Sequence, residues 1–119
     1  MGKLAGRSKS EVVICTYRIK RRHEAVFLKI LSRHWPTLRR LGLATRRPAA
    51  IFRGNDKSKK TFFVEIFTWK SGEAMEAAHQ SPEVMAVWEA MGKQTEERLG
   101  RPAMEFPHVE PVRLKFAKA

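Results

Sequence analysis

The chain has one cysteine, Cys15, and one tyrosine, Tyr17, in 119 residues. A single thiol cannot form an intrachain disulfide, and no His or Cys lies at metal-ligand spacing from it, so neither a disulfide framework nor a bound metal is expected. An isolated cysteine within an apolar run reads as a core residue of a reducing compartment, which makes the cytoplasm the expected location. Long apolar runs are missing too: none approaches the roughly 20 residues of a membrane span, so no membrane association is expected. A glycine-rich phosphate loop, HExxH, CxxC and the nucleophile-elbow spacing of Ser, His and Asp are all absent, which leaves NTPase, metalloprotease, thiol-redox and serine-hydrolase readings without support. Acidic residues are scarce: 12 Asp and Glu stand against 24 Lys and Arg, for a net charge of +12.

That excess belongs to one half of the chain. Residues 1–60 carry 17 Lys and Arg against 3 Asp and Glu, while residues 61–119 carry 7 against 9. Such asymmetry marks either an anionic-partner surface or a solvated basic one. Arg18, Lys20-Arg21-Arg22, Arg39-Arg40, Arg46-Arg47 and the lysines from Lys57 to Lys60 fall on strand ends, a helix and a turn. No RNA-recognition signature, zinc-finger spacing or aromatic-basic interleave accompanies them, which argues against a nucleic-acid partner. Residues 1–10 read as a disordered basic tail without the apolar stretch of a secretory signal, followed by one domain over residues 11–116.

The most informative segment runs from Thr61 to Met91. TFFVEIFTW is dense in aromatic and β-branched residues, the composition of a sheet strand. Ser71-Gly72 then starts a short helical piece ending near Gln80, and Ser81-Pro82-Glu83 starts a second, with Ser81 at the N-cap and Pro82 at the first helical position. Upstream, EVVICTYRI (11–19) predicts a central strand apolar on both faces. Phe27, Ile30, Leu31 and His34 form the apolar stripe of a helix that Pro36 kinks or restarts and Gly42 caps. Residues 44–54 predict an edge strand, irregular at Pro48, whose turn at Gly54–Ser58 returns the chain antiparallel into 61–69. The second long helix carries Val84, Trp88, Met91 and Thr95 on one seam, joined by Met85 and Leu99, and is expected to reach Gly100. MEFPHVEPVRLKF predicts a bent edge strand. The resulting β-α-β-β-α-β order is a ferredoxin-like α+β fold, with both helices on one face of an antiparallel sheet. The other sheet face, apolar on its central strands, would then be buried by a second copy, making a homodimer.

The segment Phe62–Met91 resembles the strand-to-helix region of the antibiotic biosynthesis monooxygenase-like proteins of the dimeric α+β barrel superfamily. Trp69 ends the strand, Lys70-Ser71 makes the polar turn, Glu73-Ala74 starts a helix, and His79 precedes the second helix at Ser81-Pro82. The resemblance implies a dimeric barrel with a pocket between helices and sheet. It also implies a small-molecule binder, in some members a cofactor-independent oxygenase of polycyclic aromatic or quinol substrates, working without metal or flavin. Haem-degrading members are expected to carry an Asn on the first strand, a Trp on the second helical region and a His one helix further on. Tyr17, His79 and Trp88 stand near those three positions, which argues against haem degradation.

His79, at the helix break, is the leading candidate for acid-base chemistry, and the alternative is that it binds a helix-terminal carbonyl. Tyr17 is the second catalytic candidate, provided that the odd-numbered face of its strand meets the helices; the opposite register, with Arg18 inward, is equally allowed. Trp35, His34, Trp88, Met85 and Met91 are expected to line an apolar pocket for a small aromatic ligand, or to be plain core. Glu65, alone in an aromatic strand, is expected to pair with Arg18 or Arg53. Two non-catalytic readings stand beside the enzymatic one: a dimeric scaffold with a filled pocket, and a module binding an anionic partner through its basic half.

Overall fold

The computed structural model describes residues 9–119. Lys9 and Ser10 are exposed; the remainder of the expected tail lies outside the described residues. The elements are β1 (Glu11–Arg18), α1 (Glu24–Leu31), α2 (His34–Arg40), β2 (Ala50–Asn55), β3 (Thr61–Trp69), α3 (Gly72–Ala78), α4 (Pro82–Gly92), β4 (Met104–Glu105) and β5 (His108–Val109). The sheet runs β2-β3-β1-β4, with β5 also on β1, and every pairing is antiparallel. This is the ferredoxin-like order, with each crossover helix broken in two. Among the described residues no helix is long and apolar enough to cross a membrane.

β1 and β3 take the centre because β-branched and aromatic residues fill both of their faces. The register pairs Val13 with Phe67, Cys15 with Glu65 and Tyr17 with Phe63. Directly paired residues point to the same side of a sheet, so this set faces the helices together, and all six are buried. Tyr17 therefore points to the helix side and Arg18 to the other. From above, Phe27 and Leu31 of α1, Leu38 of α2 and Val84 and Met91 of α4 close the core. Phe27 lies 5.1 Å from the Tyr17 ring and stacks on Phe63 at 5.7 Å.

Helix ends explain the breaks. Gly42, at φ 76°, closes α2 in a Schellman motif: the Leu43 amide donates to the Leu38 carbonyl at 2.8 Å and the Gly42 amide to Arg39 at 3.1 Å. Ser71 Oγ accepts from the Ala74 amide at 3.0 Å and Ser81 Oγ from the Val84 amide at 3.3 Å, so each starts its own helix as the sequence predicts.

Three expectations need correction. The first helix breaks at Ser32-Arg33 rather than at Pro36, which sits inside the first turn of α2 where its missing N–H deprives no carbonyl. The second helix ends at Gly92, not Gly100, because the chain leaves it to pair with the end of β1: Thr95 bridges Ile19, and the Glu96 amide donates to the Arg18 carbonyl at 2.9 Å. Leu99 is thereby 68% exposed and off the seam, in a two-residue turn with Gly100. The terminal strand shortens to β4 and β5, and residues 110–119 leave the sheet fully exposed.

Arg98 secures that departure. Its buried guanidinium donates to the Ile19 carbonyl at 2.6 Å, the Thr61 carbonyl at 3.2 Å and Asp56 at 2.8 Å. Arg98, then Ser58, hold the Asp56 carboxyl below the usual carboxylate range. Because this folded-state value is depressed, the contribution is present above the unfolded value of about 3.9 and is lost as pH falls through the folded one. We expect thermal melts to show the midpoint falling in acid for the wild type and less so for Asp56→Asn. Arg98→Met should destabilise at neutral pH by about 3 kcal/mol, since it strands buried acceptors.

Candidate functional site

A cavity of about 290 Å³ lies between the sheet and the helices. Val13, Cys15, Phe67 and Trp69 form its sheet side, and His34 from α2 and Trp88 from α4 its helix side. Met75 of α3 and His79 at its C-cap, with Phe106 and His108 from the terminal segment, complete it toward solvent. The lining is apolar apart from the three imidazoles, the Cys15 thiol and the indole N–H groups of Trp69 and Trp88.

Behind the cavity runs a buried chain of hydrogen bonds. The Trp88 indole donates its Nε1–H to His34 Nε2 at 2.9 Å. Indole nitrogen can only donate, so Nε2 carries the lone pair and the His34 proton sits on Nδ1. Nδ1–H then donates to Glu65 Oε1 at 2.8 Å, which makes that contact a hydrogen bond from a neutral ring rather than an ion pair. The Tyr17 hydroxyl donates to the same oxygen at 2.6 Å. Oε2 of Glu65 is buried without a partner. The edge of the Phe67 ring meets the His34 ring at 5.4 Å, so packing as well as hydrogen bonding fixes the imidazole.

His79 is tied differently. Its Nδ1–H donates to the Met75 carbonyl at 2.9 Å, which leaves Nε2 able to accept, on a ring that is exposed and lines the cavity. The ring stands 4.9 Å from Trp88, and Trp88 lies 6.4 Å from Trp69 with their planes at 88°. His108 Nδ1 lies 3.1 Å from Glu11. No group of three His, Cys, Asp or Glu able to hold a metal occurs among the described residues.

Of the residues expected from sequence, the fold brings His34, Trp88 and His79 together. Tyr17 is wholly buried and does not line the cavity; its hydroxyl is linked to it through Glu65 and His34, and its ring packs against the lining residue Phe106 at 6.1 Å. Trp35 packs half-buried against the core, Met91 is buried within it and Met85 is exposed, so these three fall outside the lining. Glu65 pairs with neither expected arginine. Arg18 points to the opposite sheet face, and Arg53, on the edge strand, is taken by Glu24 of α1. The signal for Glu65 was present in the alternation of its strand, which puts it on the same side as Phe63, Phe67 and Trp69. Phe106 and His108 had no comparable signal, since they follow β4, whose extent the two prolines obscured.

No family profile matches the chain, and no curated protein matches its sequence. Solved structures do match its shape. A variant of SnoaB, a cofactor-independent oxygenase from Streptomyces nogalater, superposes with a TM-score of 0.67 at 14% identity, over 89% of this chain and 96% of that one. A protein described as an antibiotic biosynthesis monooxygenase gives 0.65 at 14% identity, over 87% and 99%. Rv0793 from Mycobacterium tuberculosis gives 0.63 at 13%, over 89% and 98%. The chain has the antibiotic biosynthesis monooxygenase-like fold. In this monooxygenase-like fold the cavity lies between the β1–β3 pair and the broken second crossover.

Burial, with Glu65 nearby, raises the Cys15 thiol above its ordinary range, and burial, then Glu65, does the same for the Tyr17 phenol. Both folded-state values exceed the unfolded ones of about 8.5 and 10, so stability is whole below those values and falls as pH rises past them. Tyr17→Phe should therefore flatten the alkaline limb of a stability-pH curve while costing about 1–3 kcal/mol at neutral pH for the donor that Glu65 loses. Cys15, 1% exposed in the cavity wall, should react with a thiol reagent too bulky for the cavity only at the rate of unfolding, which a parallel stopped-flow unfolding measurement checks.

Proposed function

We propose that the chain is a homodimeric small-molecule-binding protein whose cavity takes an electron-rich aromatic or quinol-like substrate and oxidises it with dioxygen without a cofactor. The observation that carries this reading is a largely apolar cavity with an exposed imidazole, His79, whose Nδ1 is anchored on the Met75 carbonyl and whose Nε2 has no hydrogen-bond partner among the described residues. The volume sits near the lower end of ligand pockets, about 300–1,000 Å³.

His79 Nε2 would accept the proton of a ring hydroxyl, with Nδ1 anchored on the Met75 carbonyl to hold the tautomer. The resulting anion is electron-rich enough to reduce dioxygen. One oxygen atom of dioxygen enters a ring CH2 carbon as a carbonyl, the other leaves as water with the two hydrogens of that carbon, and His79 returns its proton to the ring oxygen. Trp88 and Trp69 would stack against the substrate, and the chain through His34 and Glu65 keeps the Trp88 indole from turning. Cys15 is part of the sheet wall, and Glu65 stays behind it.

Dimerisation is supported by the uncovered sheet face. Val12, Ile14, Phe62, Val64 and Ile66 lie there half-buried, and Phe52 is 55% exposed. Residues 110–119 leave the sheet with Val112, Leu114 and Phe116 strongly exposed at alternate positions. An extended segment with that alternation suits pairing against a second copy.

Oxygen uptake with a panel of anthrones bearing ring hydroxyls tests the chemistry. We expect turnover above the buffer rate, reduced about 10²–10⁴-fold in His79→Ala, the range of a lost general base. Binding without uptake would leave a ligand carrier, and neither binding nor uptake would sink the reading. Light scattering tests the dimer: twice 13.7 kDa is expected for the wild type, and a monomer for Ile14→Glu with residues 111–119 deleted.

A further inference from the structure

The β1–α1 loop and the β2–β3 hairpin meet at one end of the sheet, away from the aromatic cavity, and enclose a groove of about 340 Å³. Lys20, Arg21, Arg22, Lys59 and Lys60 line it with Ser58. The one carboxylate in the lining, Glu24, is already paired with Arg53, and Lys60 has Glu96 at 3.8 Å. Lys20, Arg21, Arg22 and Lys59 form no ion pair among the described residues. Four uncompensated cations are thus brought together by two separate loops.

Both loops also place a cation where glycine is the default. The turn closed by the His23 amide on the Lys20 carbonyl at 3.0 Å has Arg22 at φ 70°. The hairpin loop closed by the Lys59 amide on the Asp56 carbonyl and the Asp56 amide on the Lys60 carbonyl, each at 2.9 Å, has Lys59 at φ 60°. Left-handed backbone favours Gly or Asn at such positions, because a Cβ crowds the neighbouring carbonyl. Long cationic side chains at both, lining one groove, set local stability against charge placement, the pattern of a binding site rather than of a merely solvated face. The start of α1 adjoins them. The His23 imidazole is engaged by Gln94 Oε1 at 2.6 Å and makes no cap, so no N-cap side chain shields the first-turn amides.

The geometry points to a binding site for a small anion bearing two or more phosphate groups, held between the Arg21-Arg22 turn and the Lys59 loop. Guanidinium and ammonium groups from two directions suit adjacent phosphates. The groove contains no aromatic ring on which a base could stack, which favours a compact oligophosphate over a nucleic-acid strand. Calorimetric titration with inorganic tripolyphosphate, at ionic strength held constant with sodium chloride, tests it. Saturable binding at one site per chain is expected, weakened at least tenfold in Arg22→Gly/Lys59→Gly. The same variant should melt higher than wild type without ligand, because glycine relaxes both turns and like charges are removed. Unchanged affinity in that variant would overturn the site. So would an equal loss in Arg39→Gln/Arg46→Gln, whose cations lie outside the groove, or tighter binding of a duplex or single-stranded oligonucleotide than of tripolyphosphate at equal phosphate concentration.

Discussion

The carboxyl of Glu65 is the constraint on which the arrangement of this molecule depends. A carboxyl with no exposure at the centre of a sheet is tolerated only where donors converge on it, and here Tyr17 from β1 and His34 from α2 both do so. Those two hydrogen bonds fix the rotation of α2 over the sheet. They also fix the imidazole, whose remaining nitrogen then positions Trp88 of α4. One buried oxygen thereby couples a strand pair to two helices, and the shape of the aromatic cavity follows from it. A purely apolar residue at position 65 would pack as well and would specify none of these orientations.

The layered architecture was legible because it rests on local signals: alternation in β1, turn residues after β2, serine caps and Pro82 before the second helix. Those signals act within a few residues and survive in the fold. What the pattern left open was decided by distant partners. The register of β1 is allowed both ways by its own alternation, and it is the Cys15–Glu65 pairing that sends Tyr17 inward. The apolar seam points on to Leu99, yet the helix stops at Gly92 because Arg98 finds three acceptors, one just past β1, one on β3 and one in the hairpin loop. Glu65 is anomalous in its strand, but its partners lie 31 and 48 residues away, beyond the reach of spacing arguments.

Charge and apolar surface are divided between the two ends of the sheet in a way composition alone could not reveal. The basic excess of the first half gathers in part at the loops beyond Ile19 and before Thr61, while the aromatic cavity opens near α3 and the terminal segment. The two regions share the β1–β3 pair but no lining residue, so a ligand at one end does not compete sterically with a ligand at the other. The sheet face opposite the helices, where Val12, Ile14, Val64 and Ile66 lie half-buried, contributes none of those side chains to either lining.

The perpendicular pair of Trp69 and Trp88 has an optical consequence. Two indoles 6.4 Å apart with crossed planes have coupled transitions, and a coupled pair of fixed handedness gives circular dichroism that a lone indole does not. Because Trp88 is held through His34 by Glu65 and both rings line the cavity, that signal reports at once on the integrity of the buried chain and on whatever enters the cavity against the rings. The molecule thus carries its own chromophore at the place where its chemistry would occur.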